Sequence, residues 1–470
     1  MSFHLPRHIH LIGVGGINMS GLAKLLVRAG VRISASDIVS SDITDELTKK
    51  KFNIKIGHAA EHVPADTELV VYSSAVPESN PERAEARRRG LMQLNNFEFL
   101  SQWFADQDVF LITGTHGKST TTALTGLMFA EAGVDPTVVV GSSLSLFPDG
   151  NVRIGQGRTI VIEGDEYAKH FLYFQPQALI INNIEWDHPD AFPTLNDLMR
   201  AFRELLKNVR DGGVIIANAD DPHVGTLIGE ERSRLEARGI RIRTFGFASH
   251  ADMQIIDHTV RPGEQVFTLR DEHELAGRYL LHVPGRMNVL NATAAISLVS
   301  LFGTSNESIR HVLGLFQGIW RRFEKVAEQD GITVISDYAH HPTAIAATLE
   351  AARQWYPGRR IVLCFQPHQR VRTKELFLDF APSFDRADVL LLTEIYDVAG
   401  REDTAEDSVS SLDLVQTITH HDADRVVKRP VEYATNSEEA LVTLRRVRSK
   451  GDVMIIMGAG DIYQIAKRIL

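Results

Sequence analysis

The run Val109-Phe-Leu-Ile-Thr-Gly-Thr-His-Gly-Lys-Ser-Thr-Thr-Thr122 carries the residue types that phosphate chemistry needs, in an order that can deliver them. An apolar stretch breaks at two glycines, passes a lysine and a set of hydroxyls, and resumes at helical spacing, which reads as strand, phosphate loop, helix. Gly114 and Gly117 let backbone N–H groups turn toward an anion, Lys118 supplies a point charge for phosphate oxygens, and Ser119 puts a hydroxyl where Mg²⁺ would sit. Thr115, His116 and Thr120 complete the candidate loop. Counting back from Gly117-Lys118-Ser119, Ile112 stands where a usual P-loop has its first glycine, so this loop is shorter.

Three further apolar runs end in polar residues: Thr159-Ile-Val-Ile-Glu-Gly-Asp-Glu-Tyr167, Ala178-Leu-Ile-Ile-Asn-Asn-Ile-Glu-Trp-Asp-His188 and Gly213-Val-Ile-Ile-Ala-Asn-Ala-Asp-Asp221. Their continuity fits parallel strands buried on both faces, whose carboxyl ends converge on the phosphate-loop side of a sheet. Glu166 and His188 are thereby candidate metal ligands, with Asp187 behind them. Upstream, His8-Ile-His-Leu-Ile-Gly-Val-Gly-Gly-Ile-Asn-Met19 opens a second strand, glycine turn and helix, and the following strand ends at Asp37. Gly13, Gly15 and Gly16 can meet a diphosphate, and Asp37 lies about 20 residues on, where a ribose-binding acid belongs. Asn18 occupies a place that a dinucleotide fingerprint reserves for a small residue, so a nucleotide diphosphate fits better than NAD. Ser73, Ser74 and Ala75 close another strand on the same side, and with His58 they complete the candidate pocket. In the last third, Asp337-Tyr-Ala-His-His-Pro342 and Pro367-His-Gln-Arg-Val-Arg-Thr373 gather His and Arg at strand ends, a set suited to carboxylates and phosphates.

The elements that must position these residues alternate strand and helix along the whole chain, apart from an antiparallel excursion over Asp252 to Val283. The expected architecture is α/β in three domains: a Rossmann-like domain over 1–106, a P-loop ATPase-like parallel sheet over 107–317 and a Rossmann-like sheet over 318–470. The polar stretch Ser101 to Asp108 marks the first boundary, and Arg401 to Ser411 reads as a surface loop. A net charge of -10 argues against a nucleic-acid partner. One cysteine, Cys364, excludes an intrachain disulfide framework. The beginning of the chain lacks the pattern of a secretory leader, and no apolar run approaches ~20 residues, so a cytoplasmic protein without a membrane partner is expected.

In this order, the motifs Gly114-Thr-His-Gly-Lys-Ser-Thr-Thr121, Gly164-Asp-Glu-Tyr167, Asn182-Asn-Ile-Glu-Trp-Asp-His188, Asn288-Val-Leu-Asn-Ala292, Arg321-Arg-Phe323 and Asp337 to Pro342 resemble those of the Mur ligases. These are the ATP-dependent amide-forming enzymes of peptidoglycan precursor synthesis. Within the family, the first glycine turn and the Phe-Gln-Pro-His segment look most like the branch that adds L-alanine to UDP-N-acetylmuramate, while Gly-Asp-Glu-Tyr leans toward the branch that recycles a tripeptide onto the same sugar nucleotide. The resemblance implies ATP and Mg²⁺ as cofactors, held by the phosphate loop with Asn183, Glu166 and His188. It implies that Asn291 contacts the adenine and that Arg322 and Asp337 reach the nucleotide. It also implies an amino-acid site at Tyr338, His368, Arg370 and Arg372. In such a site His340 or His341 can orient the amine or help remove its proton, since histidine titrates in the useful range, while the third domain closes to exclude water. Gln369 stands where that branch has an arginine. The place of the carbamylated lysine of several members falls at Phe202, so no carbamate is expected. A monomer or weak homodimer is expected. A nicotinamide dehydrogenase would leave the phosphate loop unexplained, and a non-catalytic nucleotide switch would give the last domain's His and Arg no purpose.

Overall fold

The computed structural model describes residues 3–272, 274–397 and 409–470. Most of the 401–411 stretch expected as a surface loop lies outside the described residues. Two compact units divide the chain, one of 1–184, 199–245 and 294–312 and the other of 185–198, 246–293 and 313–470.

In the first unit, a five-stranded parallel sheet has the spatial order Ile54–Ile56, Arg32–Asp37, His8–Ile12, Leu69–Tyr72, Met92–Asn95. The chain order reverses between His8–Ile12 and Leu69–Tyr72, so the turns after them, at Gly13 and Ser73, flank the crevice where open α/β sheets bind ligands. A larger sheet in the same unit runs Arg241–Gly246, Val214–Asn218, Ala178–Ile181, Asp108–Thr113, Thr159–Glu163, Thr137–Val139, Val152–Arg153, parallel except at the last pair. Its central strands are buried on both faces, which is why they read as continuous apolar runs. The phosphate loop leaves the centre of this sheet and enters the helix Lys118–Glu131.

In the second unit, Met253–Arg261, Glu264–Asp271 and Glu274–Leu281 form the antiparallel excursion. The second unit's other sheet has the order Glu324–Gln329, Ile332–Asp337, Val453–Met457, Ile361–Phe365, Val389–Thr393, Val431–Ala434. All its pairs are parallel except that of the first strand. Ile335, Leu363, Phe365, Leu390 and Ile455 pack with Leu349 and Phe380 from covering helices in one buried cluster. Truncating one of them, for example Leu363→Ala, would cost about 2–5 kcal/mol through lost transfer energy and the cavity left behind.

Some elements escape the pattern reading. Met92–Asn95 and Val431–Ala434 are short edge strands with only partial burial. The helix Asn96–Trp103 takes up the start of the polar stretch Ser101 to Asp108, because Asn95 caps it by accepting from the backbone N–H of Phe97 at 3.0 Å and Glu98 at 2.9 Å.

Candidate active site

The phosphate loop is held open by its glycines and by one asparagine. Gly114 has φ +129° and Gly117 has φ +83°, conformations that side chains oppose, and a Cβ on Gly114 would lie 2.9 Å from both backbone N and O of Asn183. Asn183 is bonded to the loop three times: its carbonyl accepts from Thr115 N–H at 3.2 Å, its Oδ1 from His116 N–H at 2.8 Å, and its Nδ2 donates to the His116 carbonyl at 3.1 Å. Asn182 braces the helix beyond by donating to Thr121 Oγ1 at 3.0 Å. Thr120 is buried in the helix's first turn.

Lys118 turns back over this loop. Its Nζ donates to the carbonyls of Gly114 at 2.7 Å and Thr115 at 3.1 Å, and to both Glu166 oxygens at 3.0 and 2.8 Å. Burial works against the ammonium, but Glu166, Asp165 and Glu163 outweigh it and raise its pKa. Burial likewise pushes the Glu166 carboxyl up, to about 7, against the pull of Lys118. The lysine stays charged, with the Glu166 carboxyl directly against it. Ser119 Oγ donates to Glu163 Oε1 at 3.1 Å, and Glu163 Oε2 accepts from Gly141 N–H at 2.7 Å. Glu163 joins the candidate site though no motif singles it out; its one mark in the sequence is an acid closing an apolar strand beside Glu166. A hydroxyl and two carboxylates beside a phosphate loop are hard oxygen donors of the kind Mg²⁺ takes.

The first sheet carries a second group of the candidate residues. Gly13 has φ +84°, and a Cβ there would lie 3.0 Å from Ser73 Cβ, so the two turns at the sheet's switch point pack together. Gly16 caps the helix Ile17–Arg28, and Gly15 N–H donates to Asp37 Oδ2 at 2.7 Å, so Asp37 fixes the glycine turn itself. Ser73 Oγ lies 3.5 Å from Ala75 N, and Ser74 Oγ lies 2.9 Å from His170 Nε2. His58 turns inward: its Nδ1 lies 2.9 Å from an oxygen of the buried Glu82 and 3.4 Å from Ser36 Oγ. Phe202 is fully buried, edge-on to Phe171 with ring centres 5.2 Å apart.

In the second unit, Asp187 and Arg372 form a buried ion pair. Arg372 Nε donates to Asp187 Oδ1 at 2.7 Å, the same oxygen accepts from His188 N–H at 2.7 Å, and the arginine side chain is 1% exposed. Burial acts to raise the Asp187 carboxyl, but Arg372, His188 and His340 hold it well below the usual range. Arg372 also reaches His368 Nδ1 at 3.0 Å and His188 Nδ1 at 3.4 Å. His188 has φ +57°. Burial, then Arg372, pushes His340 down to about 4; its Nδ1 lies 3.0 Å from the Tyr338 carbonyl. His341 caps the helix Pro342–Trp355, accepting from Thr343 N–H at 3.3 Å. Asp337 spends its oxygens on the backbone N–H of Phe323 at 2.7 Å and Ala339 at 2.8 Å, and burial raises its pKa. It therefore shapes the turn that carries Arg322, whose guanidinium lies 4.7 Å from the centre of the Tyr338 ring. Arg370 donates to Asp397 Oδ2 at 2.9 Å and is the more exposed of the two arginines, at 28%. Gln369 precedes it with φ +67°. Asn291, in the helix Arg286–Leu301, donates to Asn288 Oδ1 at 3.2 Å.

Family models match this chain in three successive parts: the Mur ligase family catalytic domain over 8–107, the Mur ligase middle domain over 112–299, and the Mur ligase glutamate ligase domain over 321–460. The UDP-N-acetylmuramate–L-alanine ligase of Salinibacter ruber is 38% identical over 98% of this chain and 94% of its own length. That of Alkaliphilus metalliredigens is 37% identical over 100% and 98%. Among solved structures, the UDP-N-acetylmuramate–alanine ligase of Thermotoga maritima superposes with a TM-score of 0.82 at 27% identity, over 98% of both chains. A murein peptide ligase from Psychrobacter arcticus shares the fold, with a TM-score of 0.71 at 23% identity, over 99% of this chain and 98% of its own. The chain belongs to the Mur ligase family, and it is accordingly an ATP-dependent ligase in three α/β domains. No helix among the described residues is long and apolar enough to cross a membrane.

Proposed function

We propose that this enzyme joins L-alanine to the lactyl carboxylate of UDP-N-acetylmuramate, with the segments 1–106, 107–317 and 318–470 supplying the sugar-nucleotide, ATP and amino-acid sites. The observation that carries the reading is the buried Lys118–Glu166 pair on a glycine phosphate loop, in a chain whose full-length relatives at 36–38% identity bear the name of that activity. The murein peptide ligase likeness supports the fold alone, and the tripeptide-adding alternative has less behind it.

Lys118 exchanges Glu166 for phosphate oxygens of ATP and offsets the charge that spreads over the transferring phosphoryl group. The substrate carboxylate takes the γ-phosphoryl, giving an acyl phosphate and ADP. The amine of L-alanine then attacks the acyl carbon, the tetrahedral intermediate expels inorganic phosphate, and an amide remains. Ser119 and Glu166 are proposed to hold Mg²⁺, with Glu163 joining them through its bond to Ser119; His188 keeps the metal-ligand role that the family resemblance implies. Bound there, Mg²⁺ would neutralise phosphate charge. Backbone N–H groups of residues 117–119, at the start of the helix that follows the loop braced by Asn183, cradle the phosphates; Asn291 and Arg322 serve the nucleotide, and Asp337 holds the turn beneath. Gly13, Gly15, Gly16, Ser73 and Ser74 receive the diphosphate and sugar, with Asp37 and His58 behind them. Arg370 receives the alanine carboxylate by leaving Asp397, beside Tyr338 and His368, while Arg372 keeps Asp187 and His188 in place. His340, neutral at pH 7, orients the amine, and His341 sets the helix that follows.

Phosphate release from Mg-ATP with UDP-N-acetylmuramate, comparing L-alanine, glycine, L-serine and the tripeptide, tests this reading. Release should require both sugar nucleotide and L-alanine, and should fall by at least about 10²-fold in Lys118→Ala. Stimulation by the tripeptide alone would move the enzyme to the recycling branch.

A further inference from the structure

His170 belongs to none of the motifs above, yet it joins two of the proposed subsites. It lies in the helical segment Tyr167–Tyr173 that follows Glu166 directly. Its ring is 5% exposed and stacks on Phe97, with centres 4.4 Å apart and planes 18° from parallel. Its Nε2 lies 2.9 Å from Ser74 Oγ, while its Nδ1 has no hydrogen-bond partner and lies 3.7 Å from Asp165 Oδ2. The same segment is tied to the first sheet again where Asn95 Nδ2 donates to Tyr173 Oη at 3.0 Å.

A buried imidazole with one unsatisfied nitrogen is costly, and a small apolar residue under Phe97 would avoid that cost. The backbone is also held against its preference, with Ala168 at φ +49° and Lys169 at φ +59° in succession. What this geometry secures is the orientation of the Ser74 hydroxyl. Ser74 follows the strand Leu69–Tyr72 at the switch point of the first sheet and is itself exposed, so without a partner its rotamer would be free.

We propose that His170 is a positioning residue for the sugar nucleotide: it holds Ser74 Oγ in the orientation that receives a polar group of the nucleotide sugar or its diphosphate, and it locks that hydroxyl to the segment that aims Glu166 at Lys118. The proposal rests on the sugar-nucleotide reading of the first sheet. Its consequence is that His170 and Ser74 act as one unit, since either substitution removes the same oriented hydroxyl.

The test is titration calorimetry of UDP-N-acetylmuramate into the full chain, for wild type, Ser74→Ala, His170→Ala, the double variant and His170→Gln, with the Kd for Mg-bound, non-hydrolysable ATP analogue measured alongside. Each single alanine variant should weaken sugar-nucleotide binding about tenfold, the change that loss of one bridging hydrogen bond gives. The double variant should be no weaker than either single one, His170→Gln should recover most of the loss through its side-chain amide, and the affinity for the ATP analogue should stay within about twofold. Ser74→Ala removes an exposed hydroxyl and no core, so it reads the effect even where His170→Ala fails to fold. Losses that multiply in the double variant, or a lowered melting temperature with sugar-nucleotide affinity unchanged, would overturn the proposal while leaving the ligase reading intact. A wild-type chain that does not bind UDP-N-acetylmuramate would overturn the sugar-nucleotide reading and this proposal with it.

Discussion

Lys118 is charged, partly buried at 14% side-chain exposure and already paired, and that combination suits the phosphate loop to an anion. An ammonium surrounded by two carbonyls and two carboxylate oxygens has already given up most of its water, so its interaction with a phosphate is stronger than at a surface. The residue next to it depends on Glu163 in the same way. Glu163→Gln keeps the shape but removes the charge that Ser119 and Gly141 N–H address, so the Mg²⁺ concentration giving half-maximal rate should rise roughly 10–100-fold while the chain still folds. An unchanged Mg²⁺ dependence would take Glu163 out of the site. The Lys118 and Ser119 positions were legible in the sequence because a phosphate loop is contiguous. Glu163 and His170 were not, because their partners, Ser119 and Ser74, are 44 and 96 residues away in the chain.

At the scale of the element, the strand order places the chemistry. Parallel strands deliver their carboxyl ends to one side of each sheet, and the apolar runs ending in Glu163, Asn182 and Asp337 announced those strands without any contact being known. The same logic failed for Met92–Asn95 and Val431–Ala434, where an edge position leaves too few buried residues to make a run. It also could not tell that Asp37 and Asp337 bind backbone N–H groups, since a carboxylate at a strand end looks alike in either role. The loops themselves are intolerant of a single methyl group. Gly114→Ala must displace the Asn183 backbone or change a φ of +129°, and it should lower kcat/KM by about 10²-fold or more and stability by about 1–3 kcal/mol, read from urea unfolding. Gly15→Ala, whose Cβ would meet Asp37 Oδ2 at 2.9 Å, should raise KM for the sugar nucleotide and leave that for ATP near its wild-type value. Equal effects on both KM values would contradict the separation of the two subsites.

For the whole molecule, the buried groups with lowered pKa set the acid limit of stability, Glu82 and His340 among them with Asp187. Burial acts to raise Glu82, but hydrogen bonds from His10, Ser36 and His58 hold it at about 2 against an ordinary 4.5. Its contribution is therefore complete above pH 4.5 and is lost as pH falls toward 2. His340 is lowered by burial from 6.5 to about 4, so the unfolded chain takes its proton first and stability falls between pH 6.5 and 4. Each shift corresponds to an effect on the order of 3 kcal/mol. The urea midpoint should rise with pH through both windows; Glu82→Gln should make the lower one shallower, Asp187 still contributing there, and His340→Gln should flatten the upper, and a midpoint insensitive to pH in both would contradict these assignments.

The central claim, amide formation through an acyl phosphate, is tested most directly by isotope transfer. UDP-N-acetylmuramate with both carboxylate oxygens replaced by ¹⁸O is turned over with Mg-ATP and L-alanine, and the products are weighed by mass spectrometry. One labelled oxygen should leave in inorganic phosphate and the other remain in the amide, with both appearances abolished by Lys118→Ala. Unlabelled phosphate, or label carried into AMP, would contradict it.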